Sequence, residues 1–344
     1  MPFITPRTIL LLLSFGSVAA AAEMPFRLYV SNERSGDVTV IDGQSFEVLQ
    51  TIPVGKRPRG LHVSPDGETL YVATSGSPRM GPGTDPERAK SLTADKSADG
   101  IAIVDLSAGR RTRQLNVGSD PEEFALSRDG RRVIVANEDI ATASIWEISS
   151  GREIAIARVT EEPEGVALHP KRDEAWITCE EDGDIFVLHS KTGEVVTHFR
   201  LGGRPRTIAF SDDGKRAYIP LETSAAIAIV DAEAYRLMDT VSVPAPALPM
   251  GSALSPDGRE LYVSTGRGNH VVVLDTTTRK IVATIPVGTR PWGIALSPDG
   301  SLLFTANGPS DDVSVIDTRS RRELRRIKAG EGPWGVTIGK RRSP

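Results

Sequence analysis

Short apolar runs alternate along the chain with turn-forming residues, and the same pattern returns at a fixed distance. Residues 291–300 are PWGIALSPDG, and residues 58–67 are the closely similar PRGLHVSPDG. Successive copies are 63, 42, 42, 44, 42 and 42 residues apart. The prolines that open the copies are Pro58, Pro121, Pro163, Pro205, Pro249, Pro291 and Pro333. A fixed period of about 40 residues indicates a repeat architecture.

The repeat that begins at Pro291 predicts four β-strands. GIALS is a short apolar run, and the SPDG turn after it places glycine where a positive φ is needed. LLFTAN is a second run, and VSVID alternates apolar and polar positions, as a half-buried strand does. ELRRIKAG is a more polar run that suits an outer edge. Four strands per repeat without helical periodicity predict one blade of a β-propeller.

The two ends of the chain predict how the ring closes. LYVSN at 28–32 matches the second strand of a repeat, whereas GVTIG at 335–339 matches the first. The C-terminal strand should therefore join the three N-terminal strands in one blade, which removes two free sheet edges. We predict one all-β domain over residues 23–344, a seven-bladed β-propeller with four strands per blade. The first repeat is 21 residues longer than the next, which predicts an inserted loop at about 76–99.

The innermost strand of each repeat alternates small and large residues. The second and fourth positions after the opening proline are mostly Gly and Ala, and the third and fifth are mostly large and apolar. Small residues on one face allow close packing against the neighbouring blade. His62 at a fourth position and Glu123 at a second position depart from this pattern. We interpret each as a tolerated substitution.

The first 22 residues are predicted to be a secretory signal peptide. Arg7 precedes an apolar run over 9–22, and the run ends in three alanines that suit cleavage near Ala22. The run is too short for a membrane span, and no other stretch approaches one. We therefore expect an exported, periplasmic protein with no membrane span in the mature chain, and we expect a monomer.

Composition excludes some classes of function. The formal net charge is −4, and removal of Arg7 with the signal peptide would make it −5. Nucleic-acid binders are usually basic, so nucleic acid is not expected as a partner. Cys179 is the only cysteine, which excludes an internal disulfide and a CxxCH haem-attachment motif. We expect it to be a small apolar residue of a strand.

Two stretches carry a resemblance to known proteins. The segments VTVIDGQSFEVLQTIPVGKRPRGLHVSPDGETLYVAT and VVVLDTTTRKIVATIPVGTRPWGIALSPDGSLLFTAN resemble the YVTN-type forty-residue β-propeller repeat. The long segment SGSPRMGPGTDPERAKSLTADKSADGIAIVD is similar to a subfamily of exported propellers associated with pyrroloquinoline quinone (PQQ)-dependent alcohol catabolism. The resemblance implies a setting in PQQ-linked alcohol oxidation, with a periplasmic PQQ-dependent dehydrogenase or another exported protein as partner. It implies no cofactor bound by this chain.

The loops that lead into the innermost strands should surround one mouth of the channel. We call this predicted surface the rim, and we expect the inserted loop to lie over it. Acidic and basic loops alternate around it, which suits a protein partner or a small anionic or zwitterionic ligand, although ordinary surface ion pairs would give the same pattern. Arg59 and Arg206 are expected to be exposed, so that their replacement by Glu would leave stability nearly unchanged. The candidate rim residues are Arg57, Arg59, Arg79, Glu122, Glu123, Glu162, Glu164, Arg204, Arg206, Arg290, Trp292 and Trp334.

No arrangement of residues specifies a catalytic or metal site. The five histidines occupy five different positions of the repeat, so three of them are not expected to converge on a metal ion. We therefore predict a non-catalytic binding or accessory protein that uses the rim. The main alternative is a lactonase-like hydrolase of the propeller class that uses a rim carboxylate. A weaker alternative is single-stranded nucleic-acid binding, which the acidic loops disfavour.

Overall fold

The computed structural model describes Met1 and residues 26–78 and 92–340. The predicted signal peptide at 1–22, Arg79 of the rim and most of the inserted loop lie outside the described residues. The described residues form seven antiparallel sheets of four strands each, which are the seven predicted blades.

Strands β1 to β15 build the first four blades. Blade I contains β1 (Phe26–Asn32), β2 (Asp37–Asp42) and β3 (Val48–Pro53). Blade II contains β4 (Leu61–Val63), β5 (Thr69–Thr74), β6 (Gly100–Asp105) and β7 (Arg110–Leu115). Blade III contains β8 (Pro121–Leu126), β9 (Arg132–Asn137), β10 (Thr142–Glu147) and β11 (Glu153–Arg158). Blade IV contains β12 (Pro163–Leu168), β13 (Glu174–Cys179), β14 (Asp184–His189) and β15 (Val195–Arg200).

Strands β16 to β28 complete the ring. Blade V contains β16 (Ala209–Phe210), β17 (Arg216–Leu221), β18 (Ala226–Asp231) and β19 (Arg236–Ser242). Blade VI contains β20 (Ser252–Leu254), β21 (Glu260–Ser264), β22 (His270–Asp275) and β23 (Lys280–Pro286). Blade VII contains β24 (Pro291–Leu296), β25 (Leu302–Asn307), β26 (Asp312–Asp317) and β27 (Arg322–Lys328). Strand β28 (Pro333–Lys340) is the innermost strand of blade I.

Closure of the ring follows the prediction. β28 pairs antiparallel with β1, with Leu28 opposite Ile338 and Val30 opposite Val336. The backbone N–H of Gly335 also donates to the Ser31 hydroxyl at 2.9 Å. The two ends of the described domain are thus held in one sheet, and the predicted fold class is confirmed.

The apolar core lies between adjacent blades. In β5, Leu70 and Val72 pack in the cluster shared with blade I, whereas Tyr71 and Ala73 pack in the cluster shared with blade III. Because successive side chains of a strand point to opposite faces, a strand between two neighbours must be apolar on both. The second and third strands of each repeat are accordingly buried on both faces. The alternation in VSVID predicted a half-buried strand, but Ser314 is buried, as are Thr39 and Ser144 at the same position of other third strands.

The innermost strands of neighbouring blades approach each other closely. A Cβ on Gly165 would lie 2.3 Å from the carbonyl oxygen of Arg206, and one on Gly293 would lie 2.7 Å from that of Trp334. Either distance is shorter than a van der Waals contact, so both sites require glycine. The small residues that the sequence places at these positions therefore allow backbone-to-backbone packing around the channel.

Helical structure is limited to three single turns of 3-10 helix in the described residues, namely Lys96–Ala98, Glu138–Ile140 and Gly266–Gly268. None of them is of a length or hydropathy that could cross a membrane.

Candidate active site

The first residue after each opening proline gives the channel mouth two different walls. Blades II to V carry the charged wall: Arg59, Glu122, Glu164 and Arg206. Blades VI, VII and I carry the apolar wall: Met250, Trp292 and Trp334. Because neighbouring blades supply neighbouring residues, each wall is continuous around part of the mouth.

Hydrogen bonds between blades hold these residues in place. The carbonyl oxygen of Arg59 accepts from the Ser31 hydroxyl at 2.6 Å. The carbonyl oxygen of Arg206 accepts in the same way from Thr178 at 2.7 Å. Each donor lies on the second strand of the preceding blade, so the backbone that carries the wall is fixed from the side. The residues before the opening prolines also help to turn the chain inward, because most of them adopt left-handed backbone: Arg57, Asp120, Glu162, Arg204, Arg290 and Gly332.

Arg59 lies at the centre of the first ion-pair cluster. Only 2% of Arg59 is exposed, and its guanidinium pairs with Asp120 and Glu122 and lies 3.6 Å from Glu138. Oxygen atoms of these three carboxylates lie within 4.8 Å of one another, a spacing that would suit a cation. The guanidinium of Arg59 supplies positive charge to this cluster. Although burial opposes it, Arg59 holds the pKa of Asp120 below its ordinary value.

Arg206 is the centre of the second cluster. Its Nη1 donates to Glu164 and Glu180. Its Nε and Nη2 both donate to Glu222, with 2.8 Å between Nε and the carboxylate oxygen. Arg206 is 7% exposed, and Glu164 and Glu180 are also buried. Burial raises the pKa of Glu164, and Arg206 opposes that shift. The cluster joins blades IV and V, since Glu164 and Glu180 come from one and Arg206 and Glu222 from the other.

The apolar wall is built around two indole rings in contact with each other. The ring centroids of Trp292 and Trp334 are 5.4 Å apart, and the planes are inclined by 32°. The guanidinium carbons of Arg206 and Arg290 lie 5.3 and 5.5 Å from the Trp292 centroid, within the range of a cation–π interaction. Trp292 thus connects the charged wall to the apolar wall.

Between the two walls lies a cavity of about 310 Å³. Glu164 and Arg206 of the charged wall line it together with Met250, Trp292 and Trp334 of the apolar wall. His62, Glu123, Thr207, Ser252 and Thr337 complete its polar lining. The cavity therefore combines aromatic surface with carboxylate, hydroxyl and imidazole groups.

His62 and Glu123 form a pair in this cavity. His62 Nε2 lies 3.0 Å from Glu123 Oε1, and the same oxygen accepts the backbone N–H of Phe124 at 2.9 Å. The Phe124 ring meets the imidazole edge-on, with centroids 4.9 Å apart. A Cβ on Gly60 would lie 2.3 Å from Glu123 Oε1, so glycine there makes room for the carboxylate. A histidine oriented by a carboxylate is a common general base in hydrolases.

Comparison with known proteins identifies the family. A model of the family described as "Lactonase, 7-bladed beta-propeller" matches residues 24–166 and 185–332. The chain belongs to this lactonase family. No curated protein matches the lactonase-family chain.

Solved structures similar to this lactonase-family chain share its fold. The periplasmic gluconolactonase PpgL of Pseudomonas aeruginosa is 22% identical, with a TM-score of 0.72 and coverage of 92% of this chain and 99% of that chain. A putative 6-phosphogluconolactonase from Bacteroides fragilis is 18% identical, with a TM-score of 0.74 and coverage of 93% and 99%. The hydrazine synthase of Kuenenia stuttgartiensis is 20% identical, with a TM-score of 0.72 and coverage of 89% and 99%.

The family match corrects the function predicted from the sequence. A non-catalytic accessory role in PQQ-linked alcohol oxidation is wrong, because the chain belongs to the lactonase family and its structural neighbours include proteins named as lactonases. The comparisons identify this family and no finer YVTN-type or PQQ-associated subfamily. The alternative of a lactonase-like hydrolase agrees better with the match.

The predicted rim residues of the lactonase-family chain fall into three groups. Glu123, Glu164, Arg206, Trp292 and Trp334 line the cavity. Arg59 and Glu122 are buried and paired with each other. The remaining described members lie around these two sets: Arg57 beside Glu33 at 3.1 Å, Arg204 beside Glu162 at 3.3 Å, and Arg290 over Trp292.

Burial overturns one expectation about the rim. Arg59 and Arg206 were expected to be exposed, yet they are 2% and 7% exposed. Each arginine donates to carboxylates from its own or a neighbouring blade, and those blades cover it. Replacement of either by Glu should therefore destabilise this lactonase-family propeller.

Four acidic residues of the site were not predicted from the sequence. Glu33, Glu138, Glu180 and Glu222 each follow directly after the second strand of a blade, and each lies beside a rim arginine. The last three are 42 residues apart, the same as the repeat. This period was the available signal. The pairing of His62 with Glu123 was also not predicted, because each residue's departure from the repeat pattern was interpreted separately.

Proposed function

We propose that the chain is a hydrolase that opens the ring of a lactone in the channel-mouth cavity. The observation that carries the proposal is the His62–Glu123 pair, with Nε2 and Oε1 3.0 Å apart in a cavity between a charged and an aromatic wall. Membership of the lactonase family supports it. The gluconolactonase and 6-phosphogluconolactonase names of two structural neighbours suggest a sugar lactone as substrate.

The pair suits the activation of water. With its proton on Nε2, the imidazole donates to Glu123 and keeps the lone pair of Nδ1 to accept a proton. Water then attacks the lactone carbonyl carbon while one of its protons passes to His62. Ionised Glu123 stabilises the imidazolium that forms.

Ring opening returns the proton. The tetrahedral intermediate collapses by breaking the bond between the carbonyl carbon and the ring oxygen. His62 gives its proton to the departing alkoxide oxygen, so that one lactone and one water yield one hydroxy acid. The imidazole ends neutral, as it began.

The cavity is of a suitable size for a small ring. Its volume of about 310 Å³ lies at the lower end of the range for small-molecule sites. Trp292 and Trp334 contribute aromatic surface to the lining, against which the C–H groups of a small ring can pack. Glu164 can accept hydrogen bonds from hydroxyl groups.

The test is hydrolysis of glucono-δ-lactone by the purified chain, followed as acid release above the uncatalysed rate. His62→Asn and Glu123→Gln should each lower kcat by about 10²- to 10⁴-fold, as expected for loss of a general base or of the group that orients it. The matched control is His189→Asn, at a half-buried histidine that ends β14 and does not line the cavity. A wild-type chain inactive on a panel of sugar lactones, or a His62→Asn variant with unchanged kcat, would refute the proposal.

A further inference from the structure

We infer that the cavity selects an uncharged, hydroxyl-rich lactone and rejects a lactone that carries a phosphate. This inference rests on the proposed function, because it specifies the substrate class of the same site. It begins from the charges of the groups that line the cavity.

Negative charge predominates at the cavity surface. Among the described residues, its lining contains two carboxylates, Glu123 and Glu164, and one guanidinium, Arg206. Glu180 and Glu222 pair with that guanidinium, and Arg204 pairs with both of them, so four carboxylates stand against two guanidiniums at and around this lining. A phosphate entering this cavity would meet like charge, which disfavours binding.

Arg206 is poorly placed to receive a phosphate. Of its five N–H groups, four already donate to Glu164, Glu180 and Glu222. The carboxylates surround the guanidinium in its plane, and its guanidinium carbon lies 5.3 Å from the Trp292 ring centroid. Bidentate binding of a phosphate would require displacement of a buried carboxylate, which would then lack a partner.

The same lining matches the chemistry of a neutral polyol. Ionised carboxylates only accept hydrogen bonds, and sugar hydroxyls can donate to them. The aromatic surface that Trp292 and Trp334 contribute to the lining suits the apolar C–H groups of a sugar ring. Carboxylate acceptors together with aromatic surface therefore favour an uncharged sugar lactone.

The kinetic experiment compares glucono-δ-lactone with 6-phosphoglucono-δ-lactone. We expect kcat/KM to favour the uncharged substrate by roughly 100-fold, as for a like-charge contact in a partly desolvated site. Glu222→Gln removes one negative charge beside Arg206 and should raise the ratio of phosphorylated to uncharged kcat/KM by about tenfold. Glu153→Gln, at an exposed position on β11, is the matched control and should leave the ratio unchanged.

A binding experiment separates this inference from the proposed function. The tryptophan fluorescence of the chain is titrated with glucose and with glucose 6-phosphate, and Trp292→Phe identifies the responding residue. A response to glucose at concentrations where the phosphate ester gives none supports charge selection, even if no lactone is hydrolysed. A phosphate ester that binds as tightly as glucose, no response to either sugar, or faster turnover of the phosphorylated lactone would overturn the inference. In the last case the hydrolase proposal would stand.

Discussion

Replacement of Arg206 by methionine should destabilise the protein strongly, although the side chain lies at the channel mouth. Methionine keeps most of the length of the arginine side chain, so the change removes a charge without opening a large cavity. Glu164 and Glu180 would remain buried without the guanidinium that they contact. Breaking a buried ion pair by removal of one partner costs about 3–5 kcal/mol.

The expected shift in melting temperature follows from the size of the domain. A domain of roughly 300 residues unfolds with an entropy of about 0.6 kcal/mol/K, so a loss of 3–5 kcal/mol lowers Tm by about 5–8 °C. Differential scanning calorimetry at pH 7 measures this directly. The matched control is Arg34→Met, which removes a partly exposed partner of Asp311 and should cost less than about 1 kcal/mol.

The pH dependence provides a second check. Burial raises the pKa of Glu164 in the folded chain, and loss of Arg206 removes the main opposing influence. A carboxyl whose folded pKa is above its unfolded pKa favours folding when protonated, and that contribution is lost as pH rises through the folded pKa. The deficit of Arg206→Met should therefore shrink between pH 7 and pH 5. The reasoning fails if the variant melts within 2 °C of wild type at pH 7 (about 1 kcal/mol), or if its deficit grows on acidification.

Three further predictions concern closure, the thiol and the catalytic pair. Deletion of residues 333–344 removes β28 and exposes edges in blade I, so calorimetry should show a broadened transition at lower temperature; a transition like that of wild type would contradict the closure. Burial raises the pKa of the Cys179 thiol to about 11, so a chromogenic disulfide reagent should react at neutral pH only after unfolding, and labelling of the native chain would contradict this. Gly60→Ala would place a Cβ 2.3 Å from Glu123 Oε1 and displace that carboxylate from His62, which should lower kcat for lactone hydrolysis by at least about tenfold. An unchanged kcat would show that the pair does not depend on Gly60.

The fold was predictable because one physical requirement is repeated seven times. Every blade needs an inner strand small enough to approach its neighbour, and the glycines at 165 and 293 express that requirement directly in the repeat pattern. The partial repeats at the two ends predicted the β28–β1 pairing because together they make up one four-stranded blade. Periodicity therefore carries information about contacts that every blade makes.

The site was less predictable because its contacts differ from blade to blade. Whether Arg206 is exposed depends on Glu180 and Glu222 of the neighbouring connections, and a charged residue in a loop does not by itself reveal that it will be covered. The 42-residue spacing of those acids would have indicated their common location. His62 and Glu123 are 61 residues apart. Their pairing could have been predicted only by assuming that residues which depart from the repeat pattern on adjacent inner strands lie next to each other. The function was predicted wrongly because it followed a resemblance carried by the long segment of the second blade, and not the chemistry of the channel.

The pairing of β28 with β1 also has a consequence for the chain while it is being made. Gly335 donates to Ser31 across 304 positions of sequence. At a translation rate of about 5–20 residues per second, β28 is synthesised roughly 15–60 s after β1. Throughout that time β1 presents an unpaired edge that can pair with other strands, including those of a second nascent chain. The blade that begins first is thus completed last. Loss of chains to pairing at its open edge during synthesis should therefore limit how much of the protein reaches the closed ring.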